Sequence, residues 1–421
     1  MALTVDSRGV ERVVGAVLIL GVAVSPWPFV PLSVFGWLAL LPVALVPALR
    51  SRTARAVVLL LVAAGAFQLL VDVTLAVPLH DLAKGLARYT GILVSLVGTL
   101  WVLERRLLDR NEVALLHGIG WTIGTLLFFV PAPGFGFWKY GLLAPVTLVA
   151  VALCSRRWVA THHLVWLLAL IPVAAVSLLT GTRNTAIVIM FAVVICLVVA
   201  RAGPAMSAAR MVLVSVVFVV GFSAAANAGL LGTAVQEKWE KQGGSPLSVM
   251  VVGRPETSFS VGVLATDGLV PHGSGSRATA DVFAEGAAWV TELPLDEEYA
   301  LLDRLERGED GLDLHSVVAT ATWQGGPPCG LAFLAILVLV GARTLRISAD
   351  LVRTLGPVYV YAAFVLIWDF LFSPWTYYTG ASWGVLLAIV FATRPDACAD
   401  QVADERADEC ADECADEVRR V

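Results

Sequence analysis

Three segments of the chain carry residue types suited to binding and turning over a phosphorylated substrate. In SLLTGTRNTAIVIM, residues 177–190, a small hydroxyl-rich turn ends in Arg183 and a strongly apolar helix begins. A guanidinium presents a planar fork of donors that fits phosphate oxygens, and a helix N-terminus adds outward-pointing backbone N–H groups. An interfacial arginine that simply snorkels to water accounts for the same residue. In GRPETSFSVGVLATDGLVPHGSGSR, residues 253–277, Arg254 opens an amphipathic stretch that leads to Asp267-Gly268-Leu269 and a glycine-rich run. Gly273 and Gly275 permit tight turns with exposed N–H groups, as an anion or sugar site needs, and equally an ordinary flexible loop. His272 and Arg277 lie in the same run and are reserve candidates. In LHSVVATATWQGGPPCGLAFLAILVLV, residues 314–340, His315 precedes a long apolar stretch. An imidazole titrates at roughly 6.5 and suits base work near neutral pH, although a lone histidine is more often a structural hydrogen-bonder.

The elements that must position these residues are membrane helices. Of 421 residues, 58% are hydrophobic and only 15% charged, against about 45–50% and roughly 25% in soluble domains, and the mean hydropathy is +0.80. The apolar residues fall in blocks near the ~20 residues needed to cross a bilayer core. The pattern predicts an all-α polytopic protein of about twelve spans, at 12–29, 32–49, 56–78, 86–103, 113–131, 138–154, 162–179, 184–200, 211–230, 317–342, 352–372 and 376–393. Arg8 and Arg12 precede the first run, which reads as an anchor, with no cleavable signal peptide evident.

Basic residues alternate between the connections. One set holds Arg50, Arg52 and Arg55, then Arg105, Arg106 and Arg110, then Arg156 and Arg157, then Arg201 and Arg210, then Arg343, Arg346 and Arg353. The other holds only Lys84, Arg88, Lys139 and Arg183. The positive-inside rule then places both termini in the cytoplasm of an inner-membrane protein and residues 231–316 outside. The chain divides into spans 1–9 (1–230), an extracytoplasmic loop (231–316), spans 10–12 (317–393) and a tail (394–421). The loop is acidic, 15 Asp/Glu against 6 Lys/Arg, and residues 295–307 have the apolar spacing of an amphipathic helix. The tail repeats ADER, ADEC, ADEC and ADEV, too polar to bury a core. Cys410 and Cys414 lie four apart there, but without a nearby histidine or a paired CxxC no metal site is expected. No basic stripe suggests nucleic acid as a partner.

Taken in order, the three segments resemble the O-antigen ligase/polymerase superfamily, membrane glycosyltransferases of the GT-C class. The likeness lies in Gly181-Thr182-Arg183-Asn184, in Arg254 with Asp267-Gly268-Leu269-Val270-Pro271-His272-Gly273-Ser274-Gly275, and in His315-Ser316 followed by Gln324-Gly325. It spans about residues 170–345. Thr182, Ser316 and Gln324 stand where the family pattern has Ser, Asn and Glu. The resemblance implies a GT-C-like fold with one large external loop between the ninth and tenth spans. It also implies a glycan donor linked to polyprenyl (undecaprenyl) diphosphate, a hydroxyl acceptor on a glycan or lipid, membrane lipids as surroundings, and no cofactor.

Such a transfer needs positive charge against the departing diphosphate and a base for the acceptor hydroxyl. Arg183 and Arg254 are expected to supply the first and His315 the second, without a metal and with inversion at the anomeric carbon. Two other classes fit the same helices. Asp72 and Asp369 lie inside predicted spans, as in a transporter or flippase, though buried carboxylates also serve as helix-to-helix pairs. The three departures suit an inactive partner in polysaccharide assembly.

Overall fold

A computed structural model describes residues 7–22, 24, 31–128, 141–161, 170–179, 183–201, 208–241, 255–291, 312, 314–346, 356–375 and 377–392. All regular structure among them is helical: α1 Ser7–Gly21, α2 Leu32–Ala48, α3 Arg52–Thr74, α4 Leu79–Glu104, α5 Arg110–Phe128, α6 Leu143–Thr161, α7 Leu170–Leu179, α8 Arg183–Arg201, α9 Ala208–Asn227, α10 Thr233–Lys241, α11 Pro255–Asp267, α12 Ala280–Thr291, α13 Val317–Gly325, α14 Pro327–Leu345, α15 Pro357–Phe372 and α16 Tyr377–Phe391. The helices α3, α4 and α14 are long and apolar enough to cross a membrane, and several shorter ones are strongly apolar. Large aliphatic side chains point outward along α3 (Leu59, Val62, Leu70, Val73), α9 (Leu213, Val217, Val220) and α14 (Leu331, Val338). Water would penalise such stripes, whereas lipid does not. The architecture is that of a helical membrane protein. The expected amphipathic helix at 295–307 and the repeat tail lie outside the described residues.

The central element is α4, buried almost continuously from Arg88 to Glu104. It packs against α2, α3 and α16. Small residues on facing sides, Gly91 and Ser95 of α4 with Ala381 and Gly384 of α16, bring those two backbones close. The helix starts at Leu79, about two turns before the expected position, so Lys84 and Arg88 belong to it rather than to a connection. Sixteen residues separate Arg88 from Glu104, about 24 Å of helix.

One end of this axis carries a collar of charge. Asp109 and Glu112 cap α5 reciprocally: the Glu112 N–H donates to Asp109 Oδ1 at 2.7 Å and the Asp109 N–H to Glu112 Oε2 at 3.0 Å. Arg12 of α1 pairs with Glu112 at 2.9 Å, tying the first helix to this turn. Arg110 reaches across to donate to the carbonyls of Ile389 at 3.1 Å and Ala392 at 2.8 Å. It thereby satisfies the C-terminal carbonyls of α16 with a positive charge where the helix dipole favours one.

The tenth expected span, continuous over 317–342, is instead two helices. Gly326 has φ 78° and ψ 178°, a conformation open essentially to glycine alone, and Pro327 begins α14 at a position where a proline is favoured. The sequence Gly325-Gly326-Pro327-Pro328 thus ends one helix and starts another, leaving the nine-residue α13 as a separate wedge. The preceding loop is itself structured. Helices α11 and α12 pack through Phe259, Val263, Val282 and Val290, and this small core extends to Leu314, Ala319 and Trp323 of the α13 region.

Two outcomes follow. Gly326→Ala should cost roughly 1–3 kcal/mol, read as a lower melting temperature of the detergent-solubilised protein; an unchanged value would contradict the strained break. Burial pushes the Asp109 carboxyl above its ordinary range. The native state then holds the proton more tightly than the unfolded chain, so this group's contribution falls as pH rises from the unfolded pKa through the raised folded one. Asp109→Asn keeps the cap without the charge. It should melt higher than the parent at neutral pH, with the difference vanishing below about pH 4.

Candidate functional site

Opposite the charged collar, α3, α4, α13 and the glycine-rich run meet in a buried polar cluster. Asp72 lies near the C-terminal end of α3 and is buried. A carboxylate out of water requires donors, and it accepts three hydrogen bonds. Gln68 Nε2 donates at 2.9 Å, the Ser274 N–H at 2.8 Å and the Ser274 hydroxyl at 2.8 Å. Ser274 itself is buried against Gly85 of α4, where a methyl group would collide with its hydroxyl.

The residues before Ser274 pair with the end of α13. The His272 N–H donates to the Trp323 carbonyl at 3.0 Å and the Gly273 N–H to the Gln324 carbonyl at 2.8 Å. These are terminal carbonyls, which a helix cannot satisfy internally. The glycine-rich run is therefore not an open anion cradle: the N–H groups of His272, Gly273 and Ser274 all donate within the protein. The left-handed φ values of Gly273 (81°) and Gly275 (72°) let the backbone turn between these partners.

Three consequences of this docking bear on chemistry. Gln324 is held in place by its backbone, and its side-chain Oε1 accepts a hydrogen bond from Arg88 Nη1 at 3.0 Å. The Arg88 guanidinium also lies 5.8 Å from the centre of the Trp375 ring, within cation–π range. Tyr89, Phe333 and Trp375 form an aromatic floor beneath it, with ring centres 4.8–5.8 Å apart. Finally, the His272 ring stacks on the buried Trp323 indole at 3.5 Å and 8° between planes. Its Nε2 is 3.0 Å from Asp267 Oδ2 and its Nδ1 3.3 Å from the Trp323 carbonyl. With an acceptor at each ring nitrogen, this imidazole ties the glycine-rich run to α13 and Asp267 and turns no free lone pair outward. The His272 side chain retains 20% of its exposure, so it is accessible.

His315 occupies the other end of α13. It has φ 47°, left-handed backbone that is uncommon for a residue with a Cβ and strained by roughly 1–2 kcal/mol. Its neighbours enforce this. The Leu314 carbonyl accepts from the Ser260 hydroxyl, and Ser316 caps α13 by accepting from the Ala319 N–H at 3.2 Å while donating to the Phe370 carbonyl at 3.1 Å. Ser316, where the family pattern has Asn, thus has a defined structural role. Gln324 lies eight residues after Ser316, a helical rise of about 12 Å, so His315 and the Arg88–Gln324 pair are at opposite ends of α13.

Arg183 opens α8 as expected, and α8 is joined to α15 through Phe191 and Phe364, ring centres 4.4 Å apart. Arg254 and the side chain of Arg183 lie outside the described residues, and Arg277 is exposed. The expected meeting of Arg183, Arg254 and His315 is therefore not described. The arginine brought to this cluster is Arg88. Its signal was present in the sequence: like Arg183, it is a basic residue set against the positive-inside bias, but it was assigned to a connection. The second carboxylate singled out, Asp369, accepts from Ser373 Oγ at 2.7 Å and Trp383 Nε1 at 2.9 Å. Among the described residues no group of three or more His, Cys, Asp or Glu could hold a metal.

No protein-family model, no curated protein and no solved structure matches this chain.

The docking makes a direct prediction. Ser274→Ala removes one donor to a buried carboxylate and should cost roughly 1.5–3 kcal/mol. It should also speed tryptic cleavage after the exposed Arg277. Unchanged melting and cleavage together would show that the Asp72 contact does not hold the loop.

Proposed function

We propose that this protein is a polytopic cytoplasmic-membrane glycosyltransferase of about twelve spans, with cytoplasmic termini, that polymerises or ligates a surface polysaccharide. Its donor is a glycan on polyprenyl diphosphate and its acceptor a sugar or lipid hydroxyl. The observation that carries this reading is that one short helix, α13, has an imidazole, His315, before its first turn and a guanidinium, Arg88, bonded to Gln324 in its last. His272–Asp267 and Arg88–Gln324 are bound to adjacent residues of α13. The resemblance in the sequence supports the same chemistry.

In the proposed reaction an imidazole takes the proton of the acceptor hydroxyl as its oxygen attacks the anomeric carbon. The bond from that carbon to the diphosphate oxygen breaks, and the diphosphate leaves with the bonding pair. Arginine guanidinium neutralises the charge that develops on it. Single displacement inverts the anomeric centre. The base is His315, held in strained backbone of the kind that concentrates at functional sites; His272, with both ring nitrogens facing acceptors, positions the end of α13. Arg183 and Arg254 remain the diphosphate ligands implied by the resemblance, and Arg88 joins them.

The test is glycan transfer by the purified protein in proteoliposomes, using lipid-linked glycans extracted from its own source membranes. Loss of the base should reduce turnover by ~10²–10⁴-fold. We expect this of His315→Ala, and a loss of ~10²–10³-fold for Arg88→Lys. The variant His315→Gly separates chemistry from strain, because glycine relaxes the left-handed backbone: higher melting with lost transfer assigns the role to the imidazole. Transfer within about twofold of the parent by the His315→Ala protein would remove the general-base assignment. Movement of the lipid-linked glycan across the bilayer without any glycosidic product would replace the transferase with a flippase.

A further inference from the structure

Between α3 and α14 an apolar groove of about 320 Å³ opens to the side of the helical body. It is lined by Leu60, Ala63, Ala64 and Phe67 of α3 and by Pro328, Leu331 and Ala332 of α14. Both helices are among those long and apolar enough to cross a membrane, and every residue lining the groove is apolar. The groove exists because three alanines lie where the surrounding stripes carry leucine and valine. Leu331 is 61% exposed at its rim.

Both walls of the groove run on, along their helices, to residues of the polar cluster. On α3 the residue after Phe67 is Gln68, which donates to Asp72 and Ser274. Its other amide atom, Oε1, is buried with no hydrogen-bond partner among the described residues. On the opposite wall Pro328 follows directly on the Gly325-Gly326-Pro327 break, and Gln324, the partner of Arg88, precedes it. A molecule with a hydrocarbon tail and a polar head, seated with its tail in this groove, would thus bring its head to the end of the body that holds Gln324 and Arg88. The volume is at the low end for small-molecule sites, enough for a short length of chain beside the head and not for a whole lipid.

We infer that this groove receives the head-proximal isoprene units of the polyprenyl carrier and sets the position of its diphosphate. The inference rests on the transferase reading and adds the subsite for the carrier chain. Branched isoprene units fill a cleft floored by alanines better than a mobile straight acyl chain does, because each methyl branch contributes buried contact at little conformational cost.

The experiment uses the full chain in lipid nanodiscs with two photoreactive probes. One is a polyprenyl diphosphate with a diazirine in its second isoprene unit; the other is a phosphatidylethanolamine with a diazirine in one acyl chain. The polyprenyl probe should label peptides containing residues 60–67 and 328–332, and excess undecaprenyl phosphate should displace it. Ala63→Leu places a larger side chain at the exposed edge of the groove and should lower that labelling about tenfold. Val338→Leu, on the outward face of α14 deeper in the span, should leave it unchanged. Equal labelling of the same peptides by the phosphatidylethanolamine probe, or undiminished labelling of the Ala63→Leu protein, would overturn the proposal. Labelling does not depend on turnover. Specific labelling of a protein that transfers no glycan supports the groove while removing the transferase. Transfer by a protein whose groove stays unlabelled does the reverse.

Discussion

A carboxylate taken out of water must be supplied with donors, and Asp72 finds two of its three in Ser274, 202 residues further along the chain. That requirement organises the end of the molecule opposite the charged collar. Seating Ser274 against Gly85 fixes the glycine-rich run, and the run then presents two N–H groups to the carbonyls at the end of α13. Gln324 is held by its own backbone in the same contact, which is how its side chain comes to face Arg88. His272 is carried onto the Trp323 ring by the same pairing. His272, Arg88 and the helix break between their partners are thus one unit, built on a single buried acid.

The division of α13 from α14 has a second effect. A continuous helix through residues 317–342 would satisfy the Trp323 and Gln324 carbonyls internally and leave the loop nothing to bind. The left-handed Gly326 interrupts it, exposing those acceptors just where the loop arrives. The strain of the break and the docking of the loop are therefore two aspects of one arrangement. His315, at the opposite end of α13, is forced into left-handed backbone by contacts on both sides, so each end of this short helix carries a conformational cost that the surrounding packing holds in place.

Much of this was legible in the residues, and the remainder was not for identifiable reasons. Helix class and most helix positions follow from the blocks of apolar residues. The break at Gly325-Gly326-Pro327-Pro328 was written in residues that end and begin helices, but the hydrophobicity on either side concealed it. Asp72 stood out as a carboxylate in a span, yet its partner at position 274 could not be read, since nothing local links residues 202 apart. Lys84 and Arg88 were assigned to a connection because charge was taken as the end of a helix; Arg88 stays buried by bonding Gln324 and facing Trp375. The stack of His272 on Trp323 depends on a backbone pairing across the loop and has no signature in spacing. Gln324, noted only as a departure from a family pattern, proves to be a neutral acceptor for that arginine.

The long separation between partners also bears on how the protein is made. Asp72 and Arg88 enter the membrane in an early hairpin, while Ser274 and Gln324 are 202 and 236 residues downstream of them. At a synthesis rate of ~5–20 residues per second, the hairpin waits roughly 10–40 s before either partner exists. During that interval a carboxylate and a guanidinium sit at the lipid boundary with only local donors and water to solvate them. The nascent chain is then a client for whatever shelters polar groups at the insertion site, and its yield in a foreign host would be set by that waiting period more than by the stability of the finished fold.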